Sequence, residues 1–126
     1  MQKKLTPILM VEEIEPSLPF WQNLGYECTV QVPHEDRIGF AILVNGAIEL
    51  MLQTFDSALA DIPEVVSSRD PGSVVLYIEV DDLDEIATRL GGAPVVVPRR
   101  TTDYGATEIF VREPSGHVIG FAQHGG

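Results

Sequence analysis

The sequence predicts an α+β fold built from two tandem β-α-β-β-β modules, and two observations carry this prediction. In the stretch 74–92, an apolar run rich in β-branched residues gives way to apolar residues at helical spacing. Residues 7–25 repeat this pattern, with an acidic pair after the strand and a Leu-Gly pair at the end of the helix. A chain that restarts halfway is expected to contain two similar modules.

In the first module, proline, glycine and polar residues separate the predicted strands. Pro16 and Pro19 force the first helix to begin late, because proline is tolerated only in the first turn of a helix. Asn45 and Gly46 predict a type I′ hairpin turn between the third and fourth strands. The predicted strands are 4–11, 26–32, 38–44 and 47–53, with a polar loop over 33–37. Module one therefore spans about 4–54, and residues 55–73 form a surface connector with one short helix.

The second module begins with a strand that we predict to be largely buried, over 74–80. A helix follows over 83–90, with Asp82 as its N-terminal cap and Gly91 or Gly92 at its C-terminal end. The remaining predicted strands are 94–98, 106–112 and 117–123, with a polar loop over 99–103 and a turn over 113–116. Module two spans about 74–124, and we expect the two modules to form a single domain over 1–126.

Composition excludes several classes of function. The chain carries 8 basic and 19 acidic residues, a net charge of −11, which makes nucleic acid a poor partner. It has no stretch of 18 apolar residues and no signal peptide at its start, so we expect no membrane partner. The single cysteine, Cys28, excludes an internal disulfide and suits a cytoplasmic location.

Four short motifs occur in a fixed order along almost the whole chain. They lie at 9–25, 45–50, 79–83 and 104–117. In this order and spacing they resemble the vicinal oxygen chelate superfamily, which includes glyoxalase I, extradiol dioxygenases, and fosfomycin and bleomycin resistance proteins. The resemblance implies that the paired modules form a curved mixed sheet around a cleft. A second subunit often completes that cleft in the family, so we expect a homodimer.

The resemblance also implies where a metal ion would be held. Metal-dependent members use a His, a Glu, a His and a Glu from strands one, four, five and eight, a donor set suited to Ni²⁺, Fe²⁺ or Mn²⁺. Position by position, these ligands fall on Thr6, Glu49, Val75 and Gly120. Valine and glycine side chains carry no donor atom, and one carboxylate does not hold a catalytic ion. Because His34, His117 and His124 fall on none of these positions, we expect no metal and no other cofactor.

Alternation along the strands predicts which side chains line the cleft, if Glu49 faces inward. The predicted ligand-binding residues are Glu49, Met51, Tyr77, Glu79, Tyr104, Glu108 and Phe110. Aromatic faces attract cations by about 0.5–2 kcal/mol each, and a desolvated carboxylate adds a charge-assisted hydrogen bond. This mixture favours a flat, partly cationic organic molecule, although core packing explains Tyr77 and Phe110 equally well.

The predicted function is a metal-free protein that sequesters such a small molecule, similar to bleomycin resistance proteins. Catalysis is left open, because Glu49, alone or with Tyr77 or Tyr104, could serve as the general base of a carboxylate-only isomerase. Two further alternatives are a metal-dependent lyase, isomerase or dioxygenase of the glyoxalase type, and an interaction module whose cleft is filled by its own side chains. The chain shows no Ser-His-Asp or Cys-His array and no phosphate-binding or nucleotide-binding glycine motif.

Overall fold

The computed structural model describes residues 2–66, 68–70 and 74–125. The chain divides into two compact units, residues 1–71 and 72–126. Their boundary falls within the predicted connector, part of which, Ser67 and 71–73, lies outside the described residues. None of the helices that the structure describes has the length and apolar character needed to cross a bilayer.

The first unit is a four-stranded mixed sheet with two α-helices. Its elements are β1 (Ile8–Val11), α1 (Leu18–Asn23), β2 (Glu27–His34), β3 (Arg37–Asn45), β4 (Ile48–Thr54) and α2 (Phe55–Asp61). The strand order is β1-β4-β3-β2, with β1 parallel to β4 and the other pairs antiparallel. The core of this unit includes Trp21 from α1 and Leu50 and Leu52 from β4, all of which are fully buried. The late start of the first helix, after Pro16, is confirmed.

The second unit repeats this arrangement. Its elements are β5 (Leu76–Glu79), α3 (Leu83–Leu90), β6 (Val95–Thr101), β7 (Ala106–Arg112) and β8 (Val118–His124). The strand order is β5-β8-β7-β6, again with a parallel outer pair, β5 and β8, and antiparallel pairs elsewhere. The α+β fold of tandem β-α-β-β-β modules is therefore confirmed.

The register of the strands shows how closely the two modules correspond. In the first sheet Ile8 pairs with Met51, and in the second sheet Tyr77 pairs with Gly120. Each residue of the second pair follows its counterpart in the first by 69 positions. The acidic pairs Glu12-Glu13 and Asp81-Asp82 are also 69 positions apart. The repeat seen in the sequence is therefore also present in the register of the paired strands.

Two predicted loops of the first unit were wrong in detail. Residues 33–37 do not form an open loop, because β2 continues to His34 and β3 begins at Arg37 across a tight turn. The hairpin after β3 has Gly46 and Ala47 as its loop residues, since Asn45 pairs with Ile48 in the ladder. Gly46 has a φ of +61° whereas Ala47 does not have a positive φ, which matches the type II′ pattern rather than type I′.

Two predictions in the second unit also needed correction. The strand predicted over 94–98 extends to Thr101, so most of the predicted polar loop over 99–103 is part of β6. The strand predicted over 74–80 is shorter and is not largely buried, since Val74, Val75 and Tyr77 are exposed. The physical reason is that Tyr77 and Glu79 share a face of β5 that is exposed to solvent, whereas Leu76 and Ile78 on the opposite face are partly buried.

Helix α3 matches its prediction at both ends. The Asp82 carboxylate accepts a hydrogen bond from the Glu85 backbone N–H at 3.2 Å, which satisfies one of the free donors of the first turn. Gly91 follows the helix with a φ of +58°, a conformation that glycine adopts without a steric penalty. Leu83 and Leu90 are buried, so the apolar stripe faces the core as its spacing predicts.

We predict that Asp82→Ala lowers the free energy of unfolding by about 1 kcal/mol, because the helix loses its N-terminal cap. Urea denaturation followed by far-UV circular dichroism measures this change. The matched control is Asp81→Ala, which removes an exposed carboxylate one residue earlier and should leave the denaturation midpoint nearly unchanged. Equal effects of the two variants would show that charge rather than capping is responsible.

Candidate functional site

One face of the second sheet carries a row of small residues flanked by large ones. On the central strand β8, Gly120 pairs with Tyr77 of β5 on one side and with Phe110 of β7 on the other. Two residues further along β8, Ala122 pairs with Glu79 and Glu108. Side chains two apart on a strand share a face, so the small residues of β8 form a trough between larger side chains.

A hydrogen bond crosses this trough. The Tyr77 hydroxyl donates to Oε2 of Glu108 at 2.6 Å, although β8 lies between their strands. Strands two positions apart in a sheet are separated by about 10 Å, a span that a tyrosine and a glutamate together can bridge. The hydrogen bond can form across β8 because Gly120 and Ala122 have no bulky side chain in its path.

The Glu108 carboxylate is almost completely buried and is neutralised within the chain. Its residue is 1 % exposed, and its Oε1 accepts a hydrogen bond from Nε of Arg100 at 3.0 Å and forms an ion pair with Nη2 of Arg100 at 2.9 Å. The hydrogen bond from Tyr77 is the largest cause that holds the pKa of Glu108 below its ordinary value, and Arg100 adds to it against the opposing effect of desolvation. Both carboxylate oxygens are therefore satisfied in the ionised form.

Tyr77 is held as a neutral phenol by the same contacts. Its hydrogen bond to the Glu108 carboxylate is the largest cause that raises its pKa well above 10.0. Burial of the hydroxyl and a hydrogen bond with Tyr104 raise this pKa further. The phenol thus serves as a fixed hydrogen-bond donor and is not available as a general base at neutral pH.

Four rings lie together around this hydrogen bond, and we call them the aromatic patch: Tyr77, Tyr104, Phe110 and His124. The Tyr77 centroid lies 6.1 Å from that of Phe110 and 6.3 Å from that of His124, and the Tyr104 and His124 centroids are 6.3 Å apart. These separations are within the range of favourable ring contacts. Tyr77 is 46 % exposed and Tyr104 is 69 % exposed, so the patch presents aromatic surface to solvent.

The other predicted site residues have different surroundings. Glu79 is exposed on β5, on the same face as Tyr77. Glu49 and Met51 belong to the first unit, where both are partly buried on β4. Oε2 of Glu49 lies 2.7 Å from Nζ of Lys4 and forms an ion pair with it. The structure thus brings together Tyr77, Tyr104, Glu108 and Phe110 in the second unit, with Glu79 beside them on the sheet.

Comparison with known proteins identifies the family. Residues 5–121 match the model of the Glyoxalase/Bleomycin resistance protein/Dioxygenase superfamily. The chain belongs to this superfamily. This confirms the resemblance of its motifs to the vicinal oxygen chelate superfamily. The match does not show which of the superfamily's activities this chain has. No curated protein matches the chain.

Several solved structures share the fold at low sequence identity. TioX from Micromonospora sp. ML1 is 21% identical, with a TM-score of 0.78 over 98% of this chain and 99% of its own. A glyoxalase/bleomycin resistance protein/dioxygenase from Nocardioides is 20% identical, with a TM-score of 0.78 over 98% of this chain and 85% of its own. Lactoylglutathione lyase from Agrobacterium tumefaciens is 17% identical, with a TM-score of 0.73 over 98% and 94%. At these identities the comparisons establish the fold alone.

The positions onto which the superfamily's metal ligands fall do not form a donor set in this chain. Glu49 is paired with Lys4, and Thr6 offers only a hydroxyl. Val75 and Gly120 carry no donor atom. Within residues 2–66, 68–70 and 74–125, no group of three or more His, Cys, Asp or Glu side chains is placed to hold a metal ion. These residues do not fit the ion that metal-dependent members bind.

Sequence reasoning misses two members of the site, Arg100 and His124. Arg100 falls in the predicted polar loop, and only the extension of β6 to Thr101 places it beside Glu108, its partner in the ladder. His124 lies at the end of β8, four residues after Gly120, and therefore on the same face. Alternation along β8 could have identified His124, whereas no local signal identifies Arg100.

We predict two pH ranges in which the second unit loses stability. The lowered pKa of Glu108 gives stability that is present above 4.5 and is lost as the pH falls through its folded-state pKa. The raised pKa of Tyr77 gives stability that is present below 10.0 and is lost as the pH rises toward its folded-state pKa. Glu108→Gln should remove the part of the stability loss at low pH that Glu108 causes, and it should lower the pKa of Tyr77.

Urea midpoints measured from pH 3 to pH 11 test the stability profile, and ultraviolet titration against the corresponding Tyr77→Phe variant isolates the Tyr77 phenol. Glu79→Gln removes an exposed carboxylate from the same face and is the matched control. A Tyr77 titration that is the same in the wild type and in Glu108→Gln would contradict the assigned coupling.

Proposed function

We propose that this protein binds and sequesters a small planar aromatic molecule without the help of a metal ion. The aromatic patch is the observation that carries the proposal. Its rings expose apolar surface, yet ring contacts hold them together and hydrogen bonds fix the Tyr77 hydroxyl. A surface that is already ordered loses little conformational entropy when a ligand stacks on it, which favours binding.

The charge of the ligand depends on fewer carboxylates than the sequence indicates. Glu108 is neutralised by Arg100, and Glu49 is paired with Lys4. Glu79 is the remaining carboxylate of the predicted set, and it is exposed on the face that carries Tyr77. A cationic ligand would gain from Glu79 and from the ring faces, each worth about 0.5–2 kcal/mol for a cation–aromatic contact. We therefore propose an aromatic cation as the preferred ligand.

Sequestration in the manner of a bleomycin resistance protein, and hence antibiotic resistance, is the biological role that we propose. The superfamily description names bleomycin resistance proteins alongside glyoxalases and dioxygenases. The metal-dependent alternatives have weaker support, because Val75 and Gly120 cannot ligate. A carboxylate-only isomerase also has weaker support, since Glu49 is engaged by Lys4 and the Tyr77 phenol is held neutral.

We predict that Tyr104→Ala weakens the binding of proflavine, a planar aromatic cation, by about 2- to 30-fold, because one exposed ring is lost. Fluorescence titration measures the dissociation constant, and ethidium and bleomycin extend the panel. Val65→Ala is the matched control, since it truncates an exposed apolar side chain of the first unit. Glu79→Gln should weaken cationic probes while sparing neutral aromatic ones.

The same titrations with EDTA and with added Ni²⁺, Mn²⁺ or Fe²⁺ test the metal-free part of the proposal. Binding that is unchanged by chelation supports it. Stabilisation by one of these ions, together with aromatic binding that requires the ion, would favour a metal-dependent enzyme. Failure of the wild type to bind every member of the panel would contradict sequestration of aromatic cations.

We further propose a cytoplasmic homodimer in which each chain forms a single domain. Support for a dimer comes from the outer strands β2 and β6, where Val30, Val32, Val95 and Val96 are exposed. Exposed apolar edges favour pairing with another chain unless they are covered. We predict a dimer mass in sedimentation equilibrium, and a shift toward monomer in the double variant Val32→Glu/Val96→Glu. A monomeric wild type at micromolar concentration would contradict this proposal.

A further inference from the structure

Gly120 lies in the middle of β8, where glycine is an unfavourable residue. Glycine weakens a strand because it has no side chain to pack and loses much backbone freedom on folding. The backbone at Gly120 does not require glycine, since its φ is not positive. The ladder between β7 and β8 also runs without a bulge from Ala106 to Arg112, so a bulge does not account for it either.

The close approach of the Phe110 ring explains this glycine. A Cβ atom added at Gly120 would lie 2.5 Å from Cε2, 2.8 Å from Cδ2 and 3.1 Å from Cζ of Phe110. Carbon atoms in ordinary contact are about 3.5–4.0 Å apart, so no side chain fits while the ring keeps this position. The ring therefore lies against the backbone of β8, in the trough that small residues create.

The position of the Phe110 ring shapes the aromatic patch. Tyr77 also flanks Gly120, and its ring lies 6.1 Å from that of Phe110 at an interplanar angle of 40°. A side chain at position 120 would displace the Phe110 ring from this position in the trough. Glycine at this position thus lets both rings form one continuous surface at the level of the sheet.

We infer that the pair Gly120 and Phe110 determines the specificity of the second unit for a planar aromatic ligand. The Phe110 ring occupies the space that any side chain at position 120 would need, including the carboxylate that metal-dependent relatives are expected to place there. With the ring in this position, residue 120 cannot supply a metal ligand, and the Phe110 ring provides an aromatic surface there instead. This inference rests on the proposed function, since it names the residues that select the ligand.

Four variants of the full chain test the inference: Gly120→Ala, Phe110→Ala, the double variant and Gly92→Ala. Gly92 is the matched control, because a Cβ atom added there meets nothing within 4 Å and its φ is not positive. Proflavine titration measures binding, and thermal unfolding measures the melting temperature. We expect Gly120→Ala and Phe110→Ala each to weaken proflavine binding at least tenfold, and Gly92→Ala to leave it unchanged.

The melting temperatures separate the effect of the ring from any general requirement for glycine. Gly120→Ala should lower the melting temperature of the wild type but not that of Phe110→Ala, because the clashing ring is then absent. An equal decrease in both backgrounds would overturn the assigned ring position and with it the inference. This measurement needs no ligand.

The binding data distinguish the inference from the function on which it rests. Wild-type affinity retained in Gly120→Ala would overturn the inference and leave sequestration standing. A wild type that binds no aromatic probe would overturn the proposed function, and the specificity assignment would fall with it.

Discussion

A single hydrogen bond, from the Tyr77 hydroxyl to the buried Glu108 carboxylate, determines the arrangement of the candidate site. An ionised carboxylate is costly to remove from water unless its oxygens are paired. Tyr77 satisfies one oxygen and Arg100 the other, so the buried charge of Glu108 is balanced. Because Tyr77 is fixed at its hydroxyl end, its ring stays at the surface and the neighbouring rings pack around it. The hydrogen bond between Tyr77 and Glu108 therefore orders the aromatic patch.

The internal repeat shows how this site is compatible with a conserved architecture. Tyr77, Gly120 and Phe110 form a row across the second sheet, and the matching row of the first sheet is Ile8, Met51 and Ile42. Strand order and pairing are the same in both sheets, whereas the residues of the row differ in kind. The first row is apolar throughout, while the tyrosine, glycine and phenylalanine of the second row create a trough with a ring in it. The fold constrains backbone pairing and leaves the chemistry of each face free to differ between modules.

The features that sequence predicts well are those that depend on neighbours along the chain. The helix Leu83–Leu90 and its two caps follow from residues within one turn, and they are found where predicted. Strand ends were less accurate, since a strand continues for as long as a partner strand offers hydrogen bonds. Extension of β6 to Thr101 is such a case, and it accounts for the missed role of Arg100. Alternation within a strand placed Glu108 and Phe110 on one face, but the hydrogen bond across the trough also requires Tyr77 of β5, which is remote from them in sequence.

Charge is the property for which the sequence is most misleading. A net charge of −11 and three carboxylates in the predicted cleft favour a cation when charges are only counted. Two of those carboxylates are paired within the chain, and only their three-dimensional neighbours reveal it. Distant surface charges are screened over about 8 Å at physiological ionic strength, so they contribute little to a bound ligand. Ligand charge therefore depends chiefly on Glu79, whereas ligand shape depends on the rings. Because these features are carried by different residues, evolution could alter the charge preference of this surface without disturbing the hydrogen bond that orders it.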